Sequence, residues 1–244
     1  MRGLSATELL ELWERGMESS EIERGLLMLS YCLPERPWAQ LAAVSVGQRD
    51  AMVLALRRAT LGPDLHSFAT CPGCGGQLEF ELNADELGMG VGRQEQTVAH
   101  SFRQGSFAVN CRLPDSSDLD AASSCASVEE ARQTILSRCV LSVEDGGRAL
   151  TAGEIPSSIA DDIESFLSER EFADEISLKL ECPACGRGWE LALDIVSFFW
   201  REIQSAARRI VLEVDALARS YGWSEAEILN MTPARRQLYL EMVS

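Results

Sequence analysis

No uncharged apolar run in this chain approaches the roughly 18 residues that a membrane-spanning helix needs. The longest candidate, DIVSFFW, is cut off by Arg201 and Glu202, which excludes a spanning segment. The opening MRGLSATELLELWERG alternates charge with leucine and holds no apolar signal stretch, which predicts a cytoplasmic protein. Histidine is scarce, with only His66 and His100. The motifs GxxxxGK[ST], HExxH and GxSxG are absent, so the phosphate loop, zincin and nucleophile-elbow chemistries are excluded. Basic charge is also short: 22 Lys and Arg face 38 Asp and Glu, for a net charge of -16. A field of that sign repels phosphate backbones and disfavours nucleic acid.

The acidity is concentrated. Residues 1–70 hold 9 acids and 7 bases, residues 71–194 hold 23 and 9, and residues 195–244 hold 6 of each. Hydrophobic residues make up 46% of the 244, too many for a disordered chain. Adjacent acids such as Asp161 and Asp162 point in different directions on a helix and form no catalytic couple. The doublets Arg208–Arg209 and Arg235–Arg236 read as surface charge, with docking to an acidic partner as the sharper alternative. Trp189, Trp200, Trp223 and Phe198 are expected to cluster near the second cysteine turn and the start of the longest helix, as core packing, with an exposed binding anchor as the alternative.

Local patterns divide the chain. Residues 5–31 and VGQRDAMVLALRRATLG read as helices, the first opened by a capping box of Ser5 and Glu8 and the last closed by Gly62. Prolines 34 and 37 break the run between them. QLEFEL alternates as a strand, residues 84–95 read as a glycine-rich loop, and TVAHSF and SFAVNCRL as two short strands. Ser127 and Glu130 predict a capping box opening a helix with an apolar stripe of Val128, Ala131, Ile135 and Cys139. Pro156 opens a second helix. EISLKL and WELALDI form a hairpin. The stretch SFFWREIQSAARRIVLEVDALARSYGW carries the strongest helical stripe and stops at Gly222, with two short helices behind it. The expected fold is α+β: helical N- and C-terminal parts around a zinc-ribbon-like β element with two cysteine knuckles. The expected divisions are a helical region at 1–70, an acidic module at 71–194 and a C-terminal helical region at 195–244.

Eight cysteines are present. Cys32, Cys111, Cys125 and Cys139 sit singly and read as small buried hydrophobes. The other four form two echoes, CPGCGGQLEFEL from Cys71 and CPACGRGWELAL from Cys182. One thiolate pair supplies half of a tetrahedron, and a second pair completes it. The proline stiffens each turn and the following glycine admits a conformation that a side chain would crowd. Cys71, Cys74, Cys182 and Cys185 are therefore the candidate ligands of one structural zinc, shared across the 107 residues between Cys74 and Cys182. Two separate sites, a site completed by a partner, an iron–sulfur cluster and a thiol redox pair are the rival arrangements. Redox pairs favour helix starts, whereas both pairs here lead into strands. Four thiolates leave no open position for catalysis, and His66, five residues before Cys71, reads as a surface histidine rather than a ligand.

The order of these features resembles the baseplate proteins of contractile phage tails and related injection machines. The residues that carry it are VGQRDAMVLALRRATLGPDL before the first knuckle, CRLPDSSDL, the second knuckle running into DIVSFFWREI, and the tail. In the tail the pattern falls on Tyr221, Gly222, Trp223, Ser224, Glu227, Ile228, Leu229, Arg235, Arg236 and Tyr239. More closely, the chain is similar to the T-even-type baseplate hub assembly family, described as a chaperone. That resemblance implies a non-enzymatic role, binding other tail or baseplate proteins, cytoplasmic during assembly and either released or retained in a tail-like particle. The zinc does not come from the resemblance; it rests on the cysteine spacing. A nucleic-acid-binding zinc ribbon and a thiol redox protein are the alternative functions.

Overall fold

The computed structural model describes residues 2–85, 87, 99–172 and 177–243. Helix α1 (Ala6–Gly16) opens on Ser5, whose side chain accepts from the Glu8 N–H while Glu8 reaches back, the expected capping box. Ser20 and Glu23 repeat the device for α2 (Glu21–Cys32). Pro37 starts a single turn, α3 (Trp38–Ala42). Helix α4 (Val46–Leu61) is capped by Ser45 and stopped by Gly62 at φ 93°, a conformation that costs glycine alone nothing. A strand that sequence reading missed follows at once, β1 (Asp64–Thr70), antiparallel to β2 (Gln77–Asn83). Leu65, Ser67 and Ala69 face inward along β1, a pattern too weakly apolar to announce itself.

The chain then builds a second layer. Strands β3 (His100–Gln104) and β4 (Phe107–Cys111) pair antiparallel, and β4 is joined, after two helices, by β5 (Val140–Asp145) and β6 (Arg148–Ala149) in the order β3-β4-β5-β6. Those helices are α5 (Ser116–Ser123) and α6 (Val128–Cys139). Helix α7 (Ser157–Phe172) covers the sheet, and Ile159, Ile163 and Leu167 pack with Val109, Cys111, Cys139 and Val143 into a compact core. Of the expected strand TVAHSF, Thr97 and Val98 lie outside the described residues, as do most of the expected loop at 84–95 and Ile176 of the second hairpin.

That hairpin is β7 (Ser177–Glu181) with β8 (Gly188–Ala192), which leads through Asp194 into α8 (Ile195–Tyr221). At 27 residues α8 is about 40 Å long. Its first half is buried against α1, α2 and α4 in the larger core, with Phe199 and Ile203 fully enclosed. Gly16 is required where α1 meets it, because a Cβ there would lie 2.4 Å from the Trp200 ring. Gly222 in the left-handed conformation ends α8, and α9 (Glu225–Leu229) and α10 (Pro233–Glu241) fold back on its outer half through a buried Arg236 bonded to Glu213. The architecture is thus α+β as expected, with helical ends around a β region that carries two cysteine knuckles. No helix among the described residues is long and apolar enough to cross a membrane.

Three sequence expectations need correction. Arg236, expected with Arg235 to be surface charge, is 4% exposed and donates to Glu213 at 2.9 Å. Trp200 and Phe198 are buried at the start of α8, but Trp223 lies at its far end, stacked on Tyr221 at 4.4 Å. The two sites are separated by the length of a helix, which sequence proximity to the hairpin concealed. In α6 only Cys139 of the predicted stripe is buried, while Val128 is 87% exposed. Ser127 caps this helix, but Glu130 takes the N–H of Ala126, so the predicted reciprocal box is half formed.

Helix α5, also missed, is held by a charge cluster that has no sequence motif. Asp118 is fully buried and accepts from both Nη atoms of Arg112 at 2.5 and 2.9 Å, from Arg138 Nε at 2.6 Å and from the Asp115 N–H at 3.0 Å. This joins the end of β4, α5 and the end of α6. Burial opposes ionisation of Asp118, but Arg112, the Asp115 N–H and Arg138 outweigh it and hold the carboxyl down to about 2. The folded value lies below the unfolded 3.8, so this stabilisation is complete above pH 3.8 and is lost as pH falls towards 2. Urea titrations should show a loss of about 2 kcal/mol from this residue over that window. Asp118→Asn should flatten the acid limb and lower stability at pH 7.

Candidate metal centre

Each cysteine pair occupies the turn of a two-stranded ribbon, and the two turns are built alike. In the first, the Cys71 N–H donates to Gly76 O at 2.8 Å and the Gly75 N–H to Cys71 O at 2.9 Å. In the second, the Cys182 N–H donates to Arg187 O at 2.9 Å and the Gly186 N–H to Cys182 O at 2.8 Å. Gly75 and Gly186 have φ of +72° and +69°, so the glycine after each pair is dictated by the backbone. The turns face each other. Cys71 Sγ lies 3.6 Å from Cys185 Sγ, and Cys74 Sγ lies 3.6 Å from Cys182 Sγ, so both contacts cross between knuckles. All four sulfurs fall within 4.8 Å of one another, Cys71 and Cys182 buried and Cys74 and Cys185 exposed.

A cluster capable of coordinating a metal ion is therefore present. A tetrahedron with metal–sulfur bonds of about 2.3 Å has edges of about 3.8 Å, close to the separations here. The group encloses room for a single ion, whereas a polynuclear iron–sulfur cluster needs its cysteines spread over several irons. Burial disfavours a Cys71 thiolate, but the N–H groups of Cys74 and Gly73 and the sulfurs of Cys182 and Cys185 bring its pKa down to about 6. At Cys185 the Arg187 N–H favours the thiolate, yet Cys71, burial and the other two sulfurs outweigh it and push the thiol up to about 12. Four thiols this close compete for protons, and a cation at their centre would relieve that competition.

The supports of the two knuckles come from distant parts of the chain. Leu65, Leu178 and Ile195 are buried in the large core beneath the ribbons. Arg57, only 2% exposed, donates to Gly62 O and Asp64 O at 2.7 Å each and grips Glu202 with Nε and Nη2 at 2.8 and 2.6 Å. One guanidinium thus fixes the chain entering β1 to the helix leaving the second ribbon. The stem of Arg187 lies across Gly73, where a Cβ would come within 2.7 Å of Arg187 Cδ. The single basic residue of the two motifs therefore packs one knuckle on the other. The outer ribbon faces carry Glu79, Glu81, Glu181 and Glu190 beside Lys179, which pairs with Glu190, so the surface is net acidic and disfavours phosphate.

His66 is exposed and meets Glu81 across the ribbon at 3.2 Å, away from the sulfur group, as expected of a surface histidine. Cys111 and Cys139 are buried in the smaller core, and Cys32 and Cys125 are half-buried. Burial pushes the Cys32 thiol up to about 11 and the Cys139 thiol up to about 12, so both are inert apolar filler. Arg57 had no signal in the sequence beyond its place at the end of a helix.

A helical scaffold whose two ribbons meet in a four-sulfur knuckle pair is a protein with a zinc-ribbon-like motif. A family model described as T4 bacteriophage base plate protein matches residues 18–200, three quarters of the chain, and the chain belongs to that family. The matched span includes both knuckles and ends at Trp200, so the tail residues that carried much of the resemblance lie beyond it. Neither a curated protein nor a solved structure matches the chain.

Two measurements follow from this geometry. Cys71→Ser and Cys182→Ser should each lower metal retention, and the double change should cost little more than either alone, because one shared group is already broken. Additive losses in a metal-release assay would indicate two sites. Arg57→Ala leaves Glu202 and two carbonyls without their donor and should destabilise the fold by about 3–5 kcal/mol in urea, with metal stoichiometry of the folded fraction unchanged.

Proposed function

We propose that this protein is a non-enzymatic component or assembly factor of a contractile, tail-like baseplate, acting through contacts with other baseplate proteins. Membership of the base plate family over residues 18–200 is the observation that carries this reading. Within it, Cys71, Cys74, Cys182 and Cys185 hold one structural zinc. The donor set is all sulfur and matches the softness and tetrahedral preference of that ion. With four protein ligands the ion has no open position for a substrate, so its contribution is mechanical. It closes a loop of more than a hundred residues and thereby restricts the unfolded chain.

The assembly-chaperone role is the finer part of the proposal, supported by the resemblance of the tail to hub assembly proteins. A soluble scaffold with a rigid centre and an acidic middle suits recognition of other proteins better than chemistry. Elemental analysis of the purified protein should find one zinc per chain and no stoichiometric iron. Tagged protein expressed with hub, wedge and spike proteins of a contractile baseplate should co-purify with at least one of them. Retention of none would remove the baseplate role while leaving the zinc assignment standing.

A further inference from the structure

A groove of about 710 Å³ runs between the helical body and the insertion layer, at the point where the second ribbon hands over to α8. Its walls are apolar, with Ile22 on one side, Leu119, Ile135 and Leu136 on the other, and Leu193 and Val196 at the base. This is where the α6 stripe went: Val128 and Ala131 line the groove instead of the core. At one end Glu21 and Asp194 share a hydrogen bond, carboxyl to carboxylate. Neither forms an ion pair with an arginine or lysine among the described residues, whereas Arg132 is taken by Glu164 and Arg49 by Asp50. The hydrogen bond to Asp194 and burial hold the Glu21 carboxyl above its ordinary value against the opposing charges of Arg24 and Arg49, and along the groove the acids Glu21, Asp50, Glu164 and Asp194 outnumber Arg49 and Arg132. The site asks for a positive charge followed by apolar side chains.

The same chain displays that arrangement elsewhere. On the outer face of α10, Arg235, Leu238 and Met242 stand at i, i+3 and i+7, a single stripe about 10 Å long. Leu238 is 58% and Met242 72% exposed, and Arg235, with no salt bridge among the described residues, rests over the Tyr239 ring at 5.7 Å from its centroid. The stripe cannot reach the groove of its own molecule. Arg236 anchors α10 at Glu213, some 18 residues along α8 from the groove, or about 27 Å.

We propose that the groove is the docking site for α10 of a second copy of this chain, with Arg235 seated between Glu21 and Asp194 and Leu238 and Met242 on the apolar walls. The complementarity is both electrostatic and apolar, and the two surfaces are different. The contact is therefore head-to-tail, and successive copies close into a ring or extend in a row according to the rotation between them. It depends neither on the zinc nor on the baseplate role.

Sedimentation velocity on the purified full-length protein over a concentration series tests it. The wild type should self-associate, and Glu21→Arg and Arg235→Glu should each weaken association at least about tenfold. The Glu21→Arg/Arg235→Glu double variant restores the charge match and should recover it. Mixing Val128→Glu, which blocks the groove, with Leu238→Glu, which blocks the helix, should give a one-to-one pair, since one intact surface of each kind remains. All four positions are exposed, so circular dichroism should show unchanged folding. A wild type that stays monomeric, association indifferent to both charge reversals, or a mixture that forms no pair overturns the proposal.

Discussion

The whole structure turns on bringing together two turns that lie more than a hundred residues apart. Four sulfurs must meet within 4.8 Å, and nothing in either turn alone can arrange that. The positioning is done from below. Leu65, Leu178 and Ile195 seat both ribbons on one core, and Arg57 ties the entry of the first ribbon to the helix that leaves the second. The knuckles are in turn held face to face by Arg187 lying over Gly73. A metal at the centre of such a group acts on a frame that is already largely set, and its main effect is to restrict the unfolded chain.

Closing the ribbons at one end creates a place for the insertion. The chain between the knuckles leaves from β2 and returns to β7, so it is free to form its own sheet and helices with a separate small core. It rejoins the body through backbone as well as side chains: the Val46 N–H donates to Pro114 O at 3.0 Å, and Ser45 bridges Asp115. Asp118 and its two arginines then lock β4, α5 and α6 at that seam. Where the two layers lean together without filling the space, the groove is left.

The outer half of α8 is the other consequence. Its inner half is consumed by the core, and the outer half carries α9 and α10 away from it, with Tyr221, Trp223 and Tyr239 packed at the far end. The molecule thus presents an open apolar groove at one place and an apolar, basic helix face at another, held apart by a rigid rod.

Much of this was legible in the residues. The capping boxes at Ser5 and Ser224, the stops at Gly62 and Gly222 and the stripe of α8 are local signals, and local energetics govern them. The four cysteines were legible for the same reason, since the turn that each pair makes is set within six residues. The strand β1, with only Leu65 and Ala69 as apolar inward residues, and the helix α5 escaped notice because their stability comes from partners distant in sequence. The roles of Arg57 and Asp118 were invisible for that reason as well: a buried charge is defined by what surrounds it. By itself the sequence determined most of the helices, the knuckles and the all-sulfur make-up of the cysteine cluster, because these depend on dihedral preference and side-chain chemistry. Only the tertiary structure decided that the knuckles face each other, that the α6 stripe lines a groove and that the tail stands clear of it, because those outcomes depend on how separately formed surfaces share a core.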